Sequence, residues 1–377
     1  MLRLNKNEKG GAAVIAVLMI IMIVAISSAI LVVTGRDSIN QADYVPAIAD
    51  ESSQEESEAE SLVDSQPEPE PEPEPETLMT YPAQASDYEE IDLDILTTDN
   101  GILVNADNNT ILAGINYDER IYPASLTKVM SLIVAVENIE DFEATYQFTA
   151  DDIDPLVEAN AARAGFEAGE TVTYNDLLYA SILVSGADGT VGLANAVAGS
   201  EEEFVNLMNA KAAELGLTGT NFVNSSGLHD DNHYSTCQDI AVIMEYALQN
   251  ERCAEILTAS EYTTSQTEQH EDGISLTSVV ASRFTGYYIE GGGDLLGGKT
   301  GFTDEWGYSL ASIAQRDGVT YVCVTVNSED EWKAVEDNIA IYEAYLPPEG
   351  EAPDASDEDS AVEESEDSSS ASDSAEE

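Results

Sequence analysis

Two long acidic segments without lysine or arginine limit where this chain can build a hydrophobic core. Residues 37–87 carry 15 acidic side chains, and residues 347–377 carry 13 and no aromatic residue. Such segments repel themselves and bury too little apolar surface to offset the entropy lost on folding. We therefore expect a disordered linker at 36–87, one folded domain at 88–346, which holds most of the aromatic residues, and a disordered tail at 347–377.

An uncharged segment near the N-terminus predicts contact with a membrane. Residues 10–35 are 26 consecutive residues without a charge, more than the roughly 20 that cross a bilayer. Three basic side chains within residues 1–9 favour a cytoplasmic N-terminus. We expect a single-pass anchor in the cell membrane, with the folded domain extracytoplasmic. A cleaved signal peptide is the alternative, and it would export the same domain.

Charge and cysteine content exclude several partners. The chain has 74 acidic and 13 basic side chains, a net charge of -61, so phosphate would be repelled and no nucleic acid is expected. The three cysteines lack the spacing of metal ligands, and the three histidines are scattered. We expect no metal and no cofactor. The sequence does not decide whether Cys237 and Cys253 form a disulfide.

Apolar periodicity predicts strands at both ends of the domain and helices in its middle. Strands are expected on either side of the turn-rich residues 105–109 and of Asp317-Gly318, a hairpin signal. Helices are expected at 125–138, 201–215, 236–248 and 332–345, with a loop at 221–228. The pattern indicates an α+β domain with a helical middle, whose two ends share one antiparallel sheet.

Three short motifs carry the chemistry. They are Ser-Leu-Thr-Lys at 125–128, Ser-Gly-Ala at 185–187 and Lys-Thr-Gly at 299–301. Their order and spacing match a serine and lysine acyl-transfer set. The chain has six lysines, four of them within 88–346, and two of those four complete motifs. Chance is a poor explanation for that coincidence.

The first motif places a base beside a nucleophile. Positions i and i+3 share one face of a helix, which brings the Lys128 amine to the Ser125 hydroxyl. A serine hydroxyl needs a neighbouring base to become nucleophilic, and Lys128 acts as one only when neutral. We expect burial and the like charge of Lys299 to lower its pKa.

Longer phrases extend the match beyond the motifs. Residues 91–326 resemble the D-alanyl-D-alanine carboxypeptidases, the low-molecular-mass penicillin-binding proteins of peptidase family S11. The phrases that carry the resemblance are Tyr122–Met130, Asn175–Asp188, Phe204–Ala212, His233–Thr236 and Gly298–Thr303. The resemblance implies the serine β-lactamase/transpeptidase fold.

The resemblance also implies roles for individual residues. Ser125 would be the nucleophile, Lys128 the general base and Ser185 a proton relay. The substrate-binding residues would be Lys299, Thr300, Gly301 and Phe302. Lys299 would hold the substrate carboxylate, and the backbone N–H groups of Ser125 and Phe302 would form the oxyanion hole.

The activity implied is removal of the terminal D-alanine from peptidoglycan stem peptides that end in D-Ala-D-Ala. An acyl-enzyme would form, and β-lactam antibiotics would be covalent inhibitors. One alternative is a β-lactamase, although no carboxylate motif to activate the deacylating water is evident between Ser185 and Lys299. The other is a catalytically weak or inactive wall-binding module. Ala187 favours this last interpretation, because the family usually has Asn there.

Overall fold

The computed structural model describes residues 78–350. The anchor expected at 10–35, and the parts of the linker and tail before residue 78 and after residue 350, lie outside the described residues. Within the described part of the chain, no helix combines the length and the apolar character needed to cross a membrane.

Strands occur at both ends of the described domain, and most helices lie between them. The strands in these residues are, in chain order, β1 (Ala83–Glu90), β2 (Asn100–Asn105), β3 (Thr110–Ile115), β4 (Thr145–Gln147), β5 (Thr171–Thr173), β6 (Glu261–Thr263), β7 (Ser275–Thr277), β8 (Asp294–Thr303), β9 (Gly307–Arg316) and β10 (Val319–Ser328). The helices are α1 (Thr127–Asn138), α2 (Ala150–Glu158), α3 (Tyr174–Leu183), α4 (Ala187–Ala198), α5 (Glu201–Glu214), α6 (Cys237–Leu248), α7 (Glu251–Thr258), α8 (Val279–Phe284) and α9 (Glu331–Tyr345).

The main sheet joins the two ends of the domain. Its strand order is β1-β3-β2-β10-β9-β8, and β4–β5 and β6–β7 form two small separate pairs. The β2–β10 pairing is antiparallel, as expected for two ends that share one sheet. The expectation of a wholly antiparallel sheet is wrong at one edge, because β1 runs parallel to β3.

The folded domain extends beyond both expected boundaries. The Tyr81 hydroxyl donates a hydrogen bond of 2.6 Å to Asp239, and β1 includes residues assigned to the linker. The alternation of apolar residues did not reveal β1, because every residue of the strand is exposed or half-buried. At the other end, the Pro347 carbonyl accepts a 2.9 Å hydrogen bond from Arg316. The limits 88 and 346 are therefore too narrow.

Two apolar layers pack on opposite faces of the sheet. Strand β10 shows the alternation, since Val322 and Val324 face the layer with α1, α3 and α6, whereas Tyr321 and Cys323 face the layer with α8 and α9. Successive strand side chains point to opposite faces, which accounts for this division. Cys237 and Cys253 are free and buried, so the bridge left open from the sequence is not formed.

The β9–β10 hairpin confirms the turn expected at Asp317-Gly318. Both residues have positive φ, 53° and 82°, which matches the twist of a two-residue hairpin turn. The hairpin sets β9 beside β8, and β8 carries the Lys-Thr-Gly motif. That edge of the sheet contacts the short 3-10 turn that precedes α1 and contains Ser125.

Candidate active site

Ser125 lies in a single 3-10 turn, Ala124–Leu126, that leads directly into α1. Ala124 has φ of 49°, so the chain bends sharply before the serine. Gly227, with φ of 83°, packs against this turn, and a Cβ on it would lie 1.8 Å from the Ala124 carbonyl oxygen. The loop at 221–228 therefore presses its backbone against the turn that holds Ser125.

Lys128 lies one helical turn after Ser125 on the same face. Its Nζ donates hydrogen bonds to Ser125 Oγ at 3.0 Å and to the Ser226 carbonyl at 2.5 Å. The side chain is 2% exposed. Burial lowers the pKa of the Lys128 amine to about 7, although the Asp188 carboxylate opposes the change. Near neutral pH this amine can therefore accept the proton of a serine hydroxyl.

The second and third motifs meet across the same cleft. Ser185 lies between α3 and α4 with φ of 58°, and Lys299 Nζ donates to its Oγ at 2.9 Å. The amine also donates to the Thr300 carbonyl at 2.8 Å. Burial, followed by repulsion from Lys128 and Arg283, holds the pKa of Lys299 well below its ordinary value. Of the two causes expected to lower the pKa of Lys128, burial acts as expected, whereas the charge of Lys299 does not contribute.

One cavity of about 700 Å³ brings the motifs together. Its lining includes Ser125, Lys128, Ser185, Ala187, Thr300, Gly301 and Phe302. Gly301 lets β8 approach the serine turn, since a Cβ there would lie 3.2 Å from the Pro123 carbonyl oxygen. Phe302 is 47% exposed and packs on Tyr308 with ring centroids 4.5 Å apart. Lys299 is connected to the residues that line the cavity by the hydrogen bond from its Nζ to Ser185 Oγ.

The family model for peptidase S11, D-alanyl-D-alanine carboxypeptidase, matches residues 88–330. The chain belongs to peptidase family S11.

Two curated relatives each match more than half of this chain. DacF of Bacillus subtilis is 30% identical over 224 residues, which are 59% of this chain and 55% of DacF. DacB2 of Mycobacterium tuberculosis is 32% identical over 219 residues, which are 58% of this chain and 70% of DacB2. Both are described as D-alanyl-D-alanine carboxypeptidases. The match spans little more than half of DacF.

Solved structures confirm the penicillin-binding fold. A mutant of the Streptomyces K15 DD-transpeptidase has a TM-score of 0.60 at 25% identity, covering 65% of this chain and 96% of that chain. Penicillin-binding protein 5 of Haemophilus influenzae has a TM-score of 0.57 at 25% identity, covering 66% and 70% respectively. The fold expected from the S11 resemblance is therefore present in the described domain.

The S11 cleft also contains residues that the motifs did not indicate. The Ser226 carbonyl accepts from Lys128, and Arg283 of α8 lines the cavity while pairing with Glu331 at 3.3 Å. Burial lowers the pKa of Arg283. The Asn-Ser-Ser-Gly run at 224–227 is a turn-forming signal that could have located the first of these contacts. Nothing local in the sequence indicates Arg283.

Asp188 and His233 position the walls of the S11 cleft. The fully buried Asp188 carboxylate accepts N–H groups of Ala164 and Gly165 at 2.9 Å, which holds the loop opposite Ala187. His233 accepts the Val223 N–H on Nδ1, so its Nε2–H donates to Thr127 at 2.7 Å. Burial lowers the pKa of His233 to about 4, which keeps the ring neutral.

Proposed function

We propose that this S11 protein is a serine D-alanyl-D-alanine carboxypeptidase that removes the terminal D-alanine from peptidoglycan stem peptides. The observation that carries the proposal is the 3.0 Å contact between Ser125 Oγ and the buried Lys128 amine. A serine beside a lysine whose pKa lies near neutral pH combines a nucleophile with its base.

Acylation follows from this pair. Neutral Lys128 takes the proton from Ser125 Oγ as that oxygen attacks the carbonyl carbon of the penultimate D-alanine. Negative charge develops on the carbonyl oxygen, and the backbone N–H groups of Ser125 and Phe302 are the donors proposed to stabilise it. The tetrahedral intermediate collapses, the bond to the terminal D-alanine breaks, and an ester to Ser125 remains.

Departure of the terminal D-alanine requires a proton for its amine and a binding site for its carboxylate. Ser185, which accepts a hydrogen bond from Lys299, is the proposed relay to the leaving amine. Lys299 and Thr300 would hold the free carboxylate of the substrate. That carboxylate would raise the pKa of Lys299, because an opposite charge favours the ammonium form. Water then hydrolyses the ester, with Lys128 as base, and releases the shortened peptide.

We also propose that the domain works outside the cell membrane. The support is the 26-residue uncharged segment at 10–35 and the basic residues before it. The acidic linker after it contains alternating proline and glutamate at 67–76, a composition that favours extended polyproline II. Such a linker would hold the domain away from the bilayer and closer to the wall peptides.

Two assays on one preparation test the proposed activity. Release of D-alanine from a peptide ending in D-Ala-D-Ala is measured first, and labelling by a fluorescent penicillin is then followed over time. D-alanine release together with a slowly lost label supports the carboxypeptidase. Rapid loss of the label with penicillin hydrolysis would indicate a β-lactamase. The absence of both label and D-alanine would contradict the proposal and favour the inactive module, for which Ala187 in the cleft is the specific argument.

A further inference from the structure

A second cavity, of about 500 Å³, lies apart from the cleft that contains Ser125. Helices α6 and α7, the β2–β3 turn and strands β8, β9 and β10 contribute its walls, and it shares no lining residue with the first cavity. Its size is typical of sites for small organic molecules. The lining includes apolar side chains from three elements, Leu248, Leu296 and Ile313. Leu296 is 36% exposed, so part of this apolar wall faces solvent.

Glu245 is the unusual group of this cavity. The residue is 3% exposed, and neither of its carboxyl oxygens has a hydrogen-bond partner within the described residues. Buried carboxyl groups in folded proteins are normally paired or hydrogen-bonded, because removing them from water is unfavourable. Burial alone raises the pKa of Glu245 to about 8. Burial therefore disfavours the carboxylate form of Glu245, and that form has no hydrogen-bond donor among the described residues.

The charges around Glu245 are all of its own sign. The charged residues that line the cavity from the β2–β3 turn and from α7 are Asp107, Glu251 and Glu255, and the lining residues of β8, β9 and β10 are uncharged. Glu255 is already paired, since Arg252 donates to it at 2.7 Å. No lysine, arginine or histidine is among the residues that line this cavity in the described chain.

We propose that this cavity binds an alkylammonium group, with the cation at Glu245 and its aliphatic chain against Leu248, Leu296 and Ile313. A primary ammonium donates up to three hydrogen bonds, and its charge offsets that of a buried carboxylate. Within the described residues, no cluster of three or more metal-ligating side chains is placed to hold a metal ion. The apolar wall formed by Leu248, Leu296 and Ile313 suits the aliphatic part of an organic cation, either a free amine or a lysine-like side chain of a peptide.

Calorimetric titration of the full chain with n-pentylammonium chloride tests the proposal, and n-pentanol is the uncharged control. We expect n-pentylammonium to bind at pH 9 and n-pentanol to bind at least about tenfold more weakly, because only the ammonium can pair with the carboxylate. Affinity should fall by up to about tenfold per pH unit below pH 8, since binding then requires Glu245 to lose its proton. An alkylammonium stays charged across this range.

Two variants locate the site. Glu245→Gln keeps the shape of the side chain and should weaken n-pentylammonium binding at least about tenfold. Glu119→Gln removes an exposed charge that does not line this cavity and should change the affinity for n-pentylammonium by less than about threefold. If Glu245→Gln does not fold, the pH dependence and the n-pentanol control in the unaltered chain still decide the question.

Two ligand sources are then compared at pH 9. Nα-acetyl-lysine methylamide presents a lysine side chain, and n-pentylammonium represents a free amine. Binding of either one, lost in Glu245→Gln, supports the proposal, and their relative affinities identify the source. Four results would overturn it: no binding of either probe at about 10 mM, binding that does not change with pH, equal binding of n-pentanol, or unchanged binding in Glu245→Gln. Any of these would mean that the Glu245 carboxylate does not bind the ammonium group.

Discussion

The Lys128 amine is subject to two opposing influences, burial, which favours its neutral form, and the Asp188 carboxylate, which favours its charged form. Burial is the larger one and lowers the pKa to about 7. The Asp188 carboxylate is held in place by backbone N–H groups of the loop at 164–166, which donate to it.

The rate of acylation should therefore depend on pH through Lys128. The active form is the neutral amine, so the second-order rate of penicillin acylation should rise about tenfold per unit below pH 7 and level off above it. Lys128→Arg cannot lose its proton near neutral pH and should be at least about a hundredfold slower, without an inflection near 7. Stopped-flow fluorescence measures both, with the exposed Lys333→Arg as the matched control. A rate that falls as pH rises through 7 would exclude Lys128 as the base.

Ala187 is the residue at which the chain leaves its family pattern. Its side chain is 2% exposed and lines the cleft, while its N–H donates to the Ala162 carbonyl at 2.7 Å. An alanine cannot donate to a substrate carbonyl. A missing hydrogen bond of this kind costs about 0.5–1.5 kcal/mol, which is up to roughly tenfold in rate.

Ala187→Asn should raise kcat/KM for a D-Ala-D-Ala peptide by up to about tenfold, since the amide can extend into the cavity and meet the substrate. Steady-state D-alanine release is the measurement, and Ala187→Leu, similar in size but without an amide, is the control. If the unaltered chain is already fast and Ala187→Asn is slower, another group supplies this contact.

At the scale of elements, the serine turn depends on close contact with a loop that is distant in sequence. Gly227 combines a positive φ with a backbone position against Ala124, and only glycine satisfies both conditions. Gly318 in the β9–β10 hairpin has nearly the same φ, 82°, but a Cβ there would meet no atom within 4 Å. Substituting each of the two glycines in turn therefore separates the effect of backbone conformation from the effect of close packing.

Gly227→Ala should be destabilising and should reduce acylation severely, because its Cβ would overlap the Ala124 carbonyl and displace Ser125. Gly318→Ala should show only the conformational effect, about 1 kcal/mol, with normal acylation. Thermal unfolding and penicillin labelling of both variants test this. Equal losses of labelling in the two variants would show that the contact does not position Ser125.

The elements that the sequence predicted best are those with strong apolar periodicity. Helix α1 is buried over most of its length, and the motifs of the cleft were located because lysine is so rare in this chain. Strand β1 was missed because it is held by pairing with β3, and its own residues show no alternation of apolar and polar side chains. Arg283 and the Ser226 carbonyl were missed for a similar reason, since packing between distant segments brings them to Lys128 and Lys299.

At the scale of the whole molecule, the acidic composition conceals where the folded domain begins. The segment before residue 88 contains no lysine or arginine back to residue 37, yet its last part pairs with β3 and contacts α6. Backbone pairing with β3 and two hydrogen bonds of the Tyr81 hydroxyl, which donates to Asp239 and accepts from the Thr218 N–H, hold it. Burial and the hydrogen bond to Asp239 raise the pKa of Tyr81, consistent with a donor held in place.

A chain that begins at residue 78 should unfold at a higher temperature than one that begins at residue 88. The shorter chain lacks most of β1 and the Tyr81–Asp239 hydrogen bond, which leaves Asp239 with one donor fewer. We expect a difference in Tm of at least about 5 °C, and about 2–4 °C for Tyr81→Phe alone in the longer chain. Calorimetry measures both. Identical Tm values for the two lengths would mean that β1 adds nothing to stability.

Mass spectrometry of the penicillin adduct tests whether Ser125 is the nucleophile. The intact chain should gain the mass of one penicillin, and proteolytic mapping should place that mass on the peptide that contains Ser125. Ser125→Ala should gain none, while its Tm stays within about 2 °C of the unaltered chain, because the replaced hydroxyl is half-buried and small. An adduct that persists in Ser125→Ala, or that maps to Ser185 in the unaltered chain, would contradict the assignment of Ser125 as nucleophile.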